Sequence, residues 1–318
     1  MLSRIAEALY WMGRYLERAD DTARLLDVHV HRMLAEVGED HVGSSLLGAM
    51  GLEAGLMGEA QVDLWSATEL LAYDGSNPSS VAGSIRLARE NARGLRETLA
   101  TEVWVALNRT YHDLDSNVLA ARSLGPALFF QWVRERIALI GGLVDSILLH
   151  DDGWRFLTIG RCLERVDMTA RMVGAVPLDA NQHRWSAVLV SCGANDAFLR
   201  THGGVVEASR ALALLLVDPD FPRSVSFALK SAEDCLRNID APARPAGRTA
   251  EFGADEDSIR VLGRMRSVLE YAGIDDLAAN VGPTVERLQA TCVEASALLD
   301  ARFFRRTSST EWHAGTVS

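Results

Sequence analysis

Lysine is almost missing from this 318-residue chain: of 32 basic residues, all but Lys230 are arginine. A Schiff-base mechanism would have Lys230 alone to use, and an exposed helix cation is the plainer reading of it. Arginine's planar fork suits fixed ion pairs better than a flexible ammonium does. Cysteine is sparse and scattered, at Cys162, Cys192, Cys235 and Cys292, with no CxxC spacing. Neither a zinc site nor a redox pair is indicated, and buried thiols in a reducing compartment are expected. No apolar run reaches the ~18–20 residues of a membrane span. Arg4 and Glu7 interrupt the first turns, where a signal peptide would be apolar. A soluble, cytoplasmic protein away from membranes is expected. The net charge of −11 argues against nucleic acid as a partner, because affinity for phosphates needs a cationic field.

Catalytic signatures are missing too. No Asp or Glu has a His three residues later, which excludes the usual helical di-iron pattern. HExxH, GxSxG and a GxGxxG followed by a distant acid are absent. The His/Asp groupings are His112-Asp113 with Asp115, and His150-Asp151-Asp152. Either arrangement would orient an imidazole for base chemistry, but a helix-end cluster is the plainer reading. No cofactor and no metal are expected, and the sequence leans away from an enzyme.

What is present is helical periodicity. Apolar residues recur at helical spacing almost throughout, and alternating β-branched runs are absent, so an all-α helical bundle is expected. The eight prolines fall at helix starts or in connections. Spacing predicts helices over 2–37, 60–73, 79–100, 102–122, 126–149, 153–175, 183–201, 204–217, 222–239, 255–272 and 280–304. His202-Gly203-Gly204 reads as a helix C-terminus with a glycine cap. His41 to Gly58 is glycine-rich without a GK[ST] signature, 240–257 is a Pro/Gly/Ala-rich loop, and 305–318 is a polar tail expected to be disordered.

The chain also repeats itself. Residues 13–24, GRYLERADDTAR, match residues 160–171, GRCLERVDMTAR, at nine of twelve positions. With a shift of 144 in place of 147, Pro78, Ser80, Val81, Ala88 and Arg93 align with Pro222, Ser224, Val225, Ala232 and Arg237. Two duplicated helical halves are expected, 1–150 and 151–304. On a helical wheel at about 100° per residue, Arg14, Glu17, Arg18, Asp20 and Arg24 share one face, and Ile5, Ala8, Met12, Tyr15, Ala19, Ala23 and Leu26 face the other way. Spacing pairs Arg14 with Glu17 and Asp20 with Arg24; the second copy pairs Arg161 with Glu164 and Asp167 with Arg171, while Arg165 repeats Arg18.

Three readings of that face stand open: a covered ion-pair network between helices, a ligand or partner surface, and a solvated, self-paired face. Met168 stands where the first copy has Asp21, which suggests cover. If the face is covered, the nearest duplicated charges are Arg89, Glu90 and Arg93 in the first half and Asp234 and Arg237 in the second.

The motifs YWMGRYLERADDTARLL and IGRCLERVDMTARMV, with NPSSVAGSIRLARENARGLRETLATEVWVALN, resemble the alpha-E family over essentially the whole chain. The resemblance implies an all-α domain marked by its Glu-Arg motif, and association with a circularly permuted ATP-grasp protein and a transglutaminase-like protein in peptide synthesis or modification. It carries over to Glu17, Arg18, Glu164, Arg165 and the run Arg89-Glu90-Asn91-Ala92-Arg93. The second half departs from that run, since Glu233-Asp234-Cys235-Leu236-Arg237 lacks the Asn. The leading expectation is a non-catalytic helical partner or scaffold of an ATP-grasp-type peptide ligase system. Its rivals are an enzyme or binding protein whose Glu-Arg face takes a carboxylated or phosphorylated substrate, and a purely structural homo-oligomer.

Overall fold

The computed structural model describes residues 3–35, 46–48, 50, 62–240 and 257–304, and among them every regular element is helical. Most of the glycine-rich stretch from His41 to Gly58, nearly all of the 240–257 loop and the 305–318 tail lie outside the described residues. The helices are α1 (Ser3–Ala35), α2 (Leu64–Thr68), α3 (Val81–Arg93), α4 (Thr101–Leu124), α5 (Ala127–Ile147) and α6 (Asp152–Gly174). They continue with α7 (Gln182–Ser191), α8 (Asn195–His202), α9 (Ala208–Leu212), α10 (Val225–Asp240), α11 (Ser258–Tyr271), α12 (Ile274–Ala279) and α13 (Val281–Leu299). None of the described helices is long and apolar enough to cross a membrane.

Two helices organise the rest. α1 packs along α6 and is flanked by α3 and α5; α6 is flanked in turn by α10 and α13. The buried apolar side chains form one continuous cluster, with Leu26, Ile85 and Phe130 from the first half and Leu163, Leu229 and Leu288 from the second. Because α1 is surrounded, its charged face is covered as well as its apolar one.

Local chemistry sets the helix ends. Asp151 starts α6 by accepting from the amides of Gly153 (2.8 Å) and Trp154 (3.2 Å), satisfying donors that a helix start leaves open. Ser80 caps α3 through the Gly83 amide (2.8 Å), and Ser224 caps α10 through that of Phe227 (3.0 Å). Each serine also donates to a carbonyl six residues back, of Asp74 and Asp218 respectively. A π-helical turn precedes each of those aspartates, Glu69–Tyr73 and Ala213–Val217. These contacts recur at the 144-residue shift.

One predicted helix is split in two and another ends early. The one expected over 183–201 breaks at Gly193, whose φ of +64° only glycine adopts without strain. The one expected over 79–100 ends at Arg93 and gives way to a turned segment before α4. Gly203, at φ +78°, terminates α8 where the sequence places a glycine cap.

Candidate functional site at the Glu-Arg crossing

α1 and α6 touch backbone to backbone at the repeated glycine. A Cβ on Gly13 would lie 2.1 Å from the Leu157 carbonyl oxygen, and one on Gly160 would lie 2.1 Å from that of Tyr10. Only glycine permits this approach. One turn further along, each helix presents its Glu-Arg pair to the other, and the pairs exchange partners. Arg165 grips Glu17 with both arms (Nε to Oε1 2.6 Å, Nη2 to Oε2 2.8 Å), and Arg18 grips Glu164 the same way (2.5 and 3.0 Å). Such bidentate, charge-assisted contacts fix orientation as well as distance.

Each glutamate has a second arginine, and here the symmetry fails. Arg14 reaches Glu164 at 2.7 Å and also donates to Tyr10 Oη and Ser296 Oγ, both at 3.1 Å. Arg161, the counterpart of Arg14, turns instead to Asp145 at the end of α5 (3.1 Å). Its place beside Glu17 is taken by Arg223, at 3.6 Å. Arg223 follows Pro222 just before the α10 cap. It also bonds Asp21, Asp20 (3.3 Å) and the Cys192 carbonyl (2.8 Å). The intrahelical pairs Asp20–Arg24 and Asp167–Arg171 close at 2.8 Å each.

Glu17 and Glu164 are 5% and 1% exposed. Burial pushes both carboxyls up, but the arginines outweigh it: Arg165 and Arg223 bring Glu17 down to about 2, and Arg14 with Arg18 hold Glu164 below the usual range. Burial likewise pushes the Cys162 thiol up to about 11 and that of Cys235 to about 12, so neither is a ready thiolate. Among the described residues, no group of three His, Cys, Asp or Glu side chains is placed to hold a metal ion.

Asp21 behaves differently. Burial pushes its carboxyl up to about 8 against the pull of Arg223, and repulsion from Glu17 and Asp20 adds to the rise. An unfolded Asp titrates near ~3.9, so between about pH 4 and 8 the folded chain holds the extra proton and loses stability as pH rises. Asp21→Asn is expected to flatten that loss, with the variant gaining on the wild type as denaturation midpoints are followed up this range. An unchanged pH slope would show that Asp21 is ionised throughout.

Several partners expected from the sequence are corrected. Arg14 does not pair with Glu17, nor Arg161 with Glu164, because each glutamate takes its arginines from outside its own helix. Arg89, Glu90 and Arg93 pair among themselves (Arg89–Glu90 2.5 Å, Arg93–Glu90 2.9 Å), and Arg89 faces α4, donating to Asn108 and lying 4.7 Å from the Tyr111 ring centre. Asn91 donates to the Leu87 carbonyl of its own helix. Among the described residues Asp234 has only Lys230 at 3.7 Å and Arg237 at 3.5 Å, while Arg237 turns to the buried Glu233, which Arg266 also holds at 2.8 Å. These groups stand apart from the crossing. Arg223 and Asp145 are the charged members that sequence reasoning missed, with Tyr10 and Ser296 beside Arg14: the aligned position of Arg223 is Ser79, so no repeat marks it.

Fold and site together define an all-helical module whose two central helices are clamped by exchanged Glu-Arg forks. The chain belongs to the Alpha-E family, described as a predicted alpha-helical domain with a conserved ER motif, whose model matches residues 1–304. Uncharacterised proteins of Mycobacterium bovis and Mycobacterium tuberculosis are 26% identical to it over 94% of this chain and 36% of their own length. The chain thus spans about a third of the curated relatives it matches. No solved structure matches it.

Proposed function

We propose that this chain is a non-catalytic, cytosolic helical partner of an ATP-grasp-type peptide ligase or peptide-modification system, together with a transglutaminase-like protein. The observation that carries the non-catalytic part is the saturation of the motif. Glu17 and Glu164 are buried, ionised and gripped by arginine forks. A general base needs a pKa near the working pH, and Glu17, at about 2, is far below it and already held by Arg165. Arg14, Arg18 and Arg165 are spent on the same contacts, which disfavours the Glu-Arg pairs themselves as a carboxylate or phosphate clamp. The identity of the partners rests on the family resemblance. The matched span being 36% of its relatives supports a module that works beside other modules.

The tagged chain is expected to co-purify with the ATP-grasp and transglutaminase-like proteins of its own source, and by itself to show no ATP hydrolysis and no amide-bond formation. Turnover by the purified chain that survives inactivation of any co-purifying ligase would overturn this reading. Descent of the two halves from one duplicated unit is part of the proposal, supported by the exchanged forks and the paired serine caps. In a crystal structure, residues 5–35 with 79–97 should superpose on 152–182 with 223–241 as one rigid set; unrelated helix crossings would remove it.

A further inference from the structure

The release of Arg161 from the Glu-Arg network coincides with an open cleft of about 580 Å³ between α6, α10 and the end of α5. That volume lies within the ~300–1,000 Å³ typical of small-molecule sites. At the aligned positions the first half carries Trp11, Tyr15 and Leu87, and the second carries Thr158, Cys162 and Ser231. In the first half the two rings stack on each other, 5.6 Å between centres, beneath the Arg14 and Arg18 guanidiniums. In the second half, small side chains line the cleft instead. The exchange of large for small opens the space.

The polar groups around it are incompletely used. Arg161 gives only Nη1 to Asp145, and Arg155 only Nη1 to Asp152; among the described residues their remaining nitrogens have no acceptor. On the α10 side of the cleft, Asp234 has, among the described residues, no charge partner nearer than 3.5 Å. Trp154, Phe227 and Pro222 supply apolar wall. Arg155, Arg161 and Arg165 are closely balanced by Asp145 and Asp234, with Asp152 and Glu17 behind them, so the site does not suit a polyanion. A cleft lined by opposed charges together with apolar wall suits a zwitterion.

We propose that this cleft binds an amino acid or short peptide with an apolar side chain, its carboxylate on Arg161 and its ammonium on Asp234. Arg155 is placed to donate to a peptide carbonyl. The site requires no partner protein and stands whether or not the chain serves a ligase.

The test is calorimetric titration of the purified full chain with L-leucine, L-phenylalanine, leucyl-leucine and phenylalanyl-alanine, beside their methyl esters, their N-acetyl derivatives and inorganic phosphate. Saturable binding of at least one free amino acid or dipeptide is expected, about tenfold tighter than its ester or N-acetyl form, a difference typical of one lost charged contact. Arg161→Gln should remove the preference for the free acid over the ester, and Asp234→Asn the preference for the free amine. Both positions are partly exposed, so the variants should melt as the wild type does. Cys162→Tyr with Ser231→Leu, which restores first-half side chains, should abolish binding. Silence with every probe, equal affinity for esters and acids, or binding of phosphate alone would each overturn the proposal.

Discussion

Glu164→Ala is expected to be the most damaging single side-chain truncation in this protein, costing about 3–5 kcal/mol of stability. The carboxylate is almost wholly buried and holds two arginines, Arg14 and Arg18, at 2.7 and 2.5 Å. Removing it leaves two cations facing each other away from water. Arg14 keeps Tyr10 and Ser296 as acceptors, which soften its position without neutralising its charge. Glu17→Ala should cost less, since Arg165 retains the Pro222 carbonyl (2.9 Å) and Arg223 retains Asp20 as a charge partner and Asp21 as a hydrogen-bond acceptor. Urea denaturation reads this directly, as a lower midpoint at unchanged slope. Combining Glu164→Ala with Arg18→Ala should recover part of the loss, because one stranded cation goes with its partner. Wild-type midpoints for both glutamate variants would remove the clamp reading.

The pH profile follows from the same contacts. Glu17 and Glu164 are both held below their unfolded values, so their stabilisation is complete above the unfolded glutamate range near ~4.3. It is lost as pH falls, for Glu17 through about 2. Acid unfolding of Glu17→Gln should accordingly be less steep.

Gly13→Ala and Gly160→Ala carry the second large effect. A new Cβ at either position meets a carbonyl oxygen of the other helix at 2.1 Å, a distance neither side can keep. The obstruction is backbone, so no side-chain rotation relieves it. Separating α1 from α6 also lengthens every fork across the crossing. The loss should therefore exceed the ~1–3 kcal/mol usual for overpacking, and the double variant should not reach the native fold. Gly142→Ala on α5 is the matched control. Nothing lies within 4 Å of its Cβ, and the higher helix propensity of alanine should leave stability unchanged or raised by up to about 1 kcal/mol. Thermal melts followed by circular dichroism compare the three. A Gly13→Ala protein melting with the control would mean that the helices do not cross at this glycine.

The helical class was legible because the evidence for it is local. Apolar spacing, proline placement and serine or aspartate caps are fixed within a few residues of one another, and they place α1, α5, α6 and α13 close to their observed limits. The helix expected over 183–201 fails at Gly193, whose backbone enters the left-handed region, a conformation that apolar spacing does not encode.

The Glu-Arg motif was visible as a repeat, and its charged face was visible on a helical wheel. By itself, then, the sequence determined that this is an all-helical chain, that Glu17, Arg18, Glu164 and Arg165 form a matched set, and that nucleophile and metal signatures are missing. Spacing also placed the Asp20–Arg24 and Asp167–Arg171 pairs, but tertiary structure alone decided which arginines the two glutamates take. An arginine three residues from a glutamate competes with one from another helix, and the competition is won by whichever fork can meet the carboxylate with both arms in a site closed to water. The glycine crossing brings α1 and α6 near enough for that exchange. Arg223, from a connection 206 residues beyond Glu17 in the chain, completes it through a contact that no local spacing encodes.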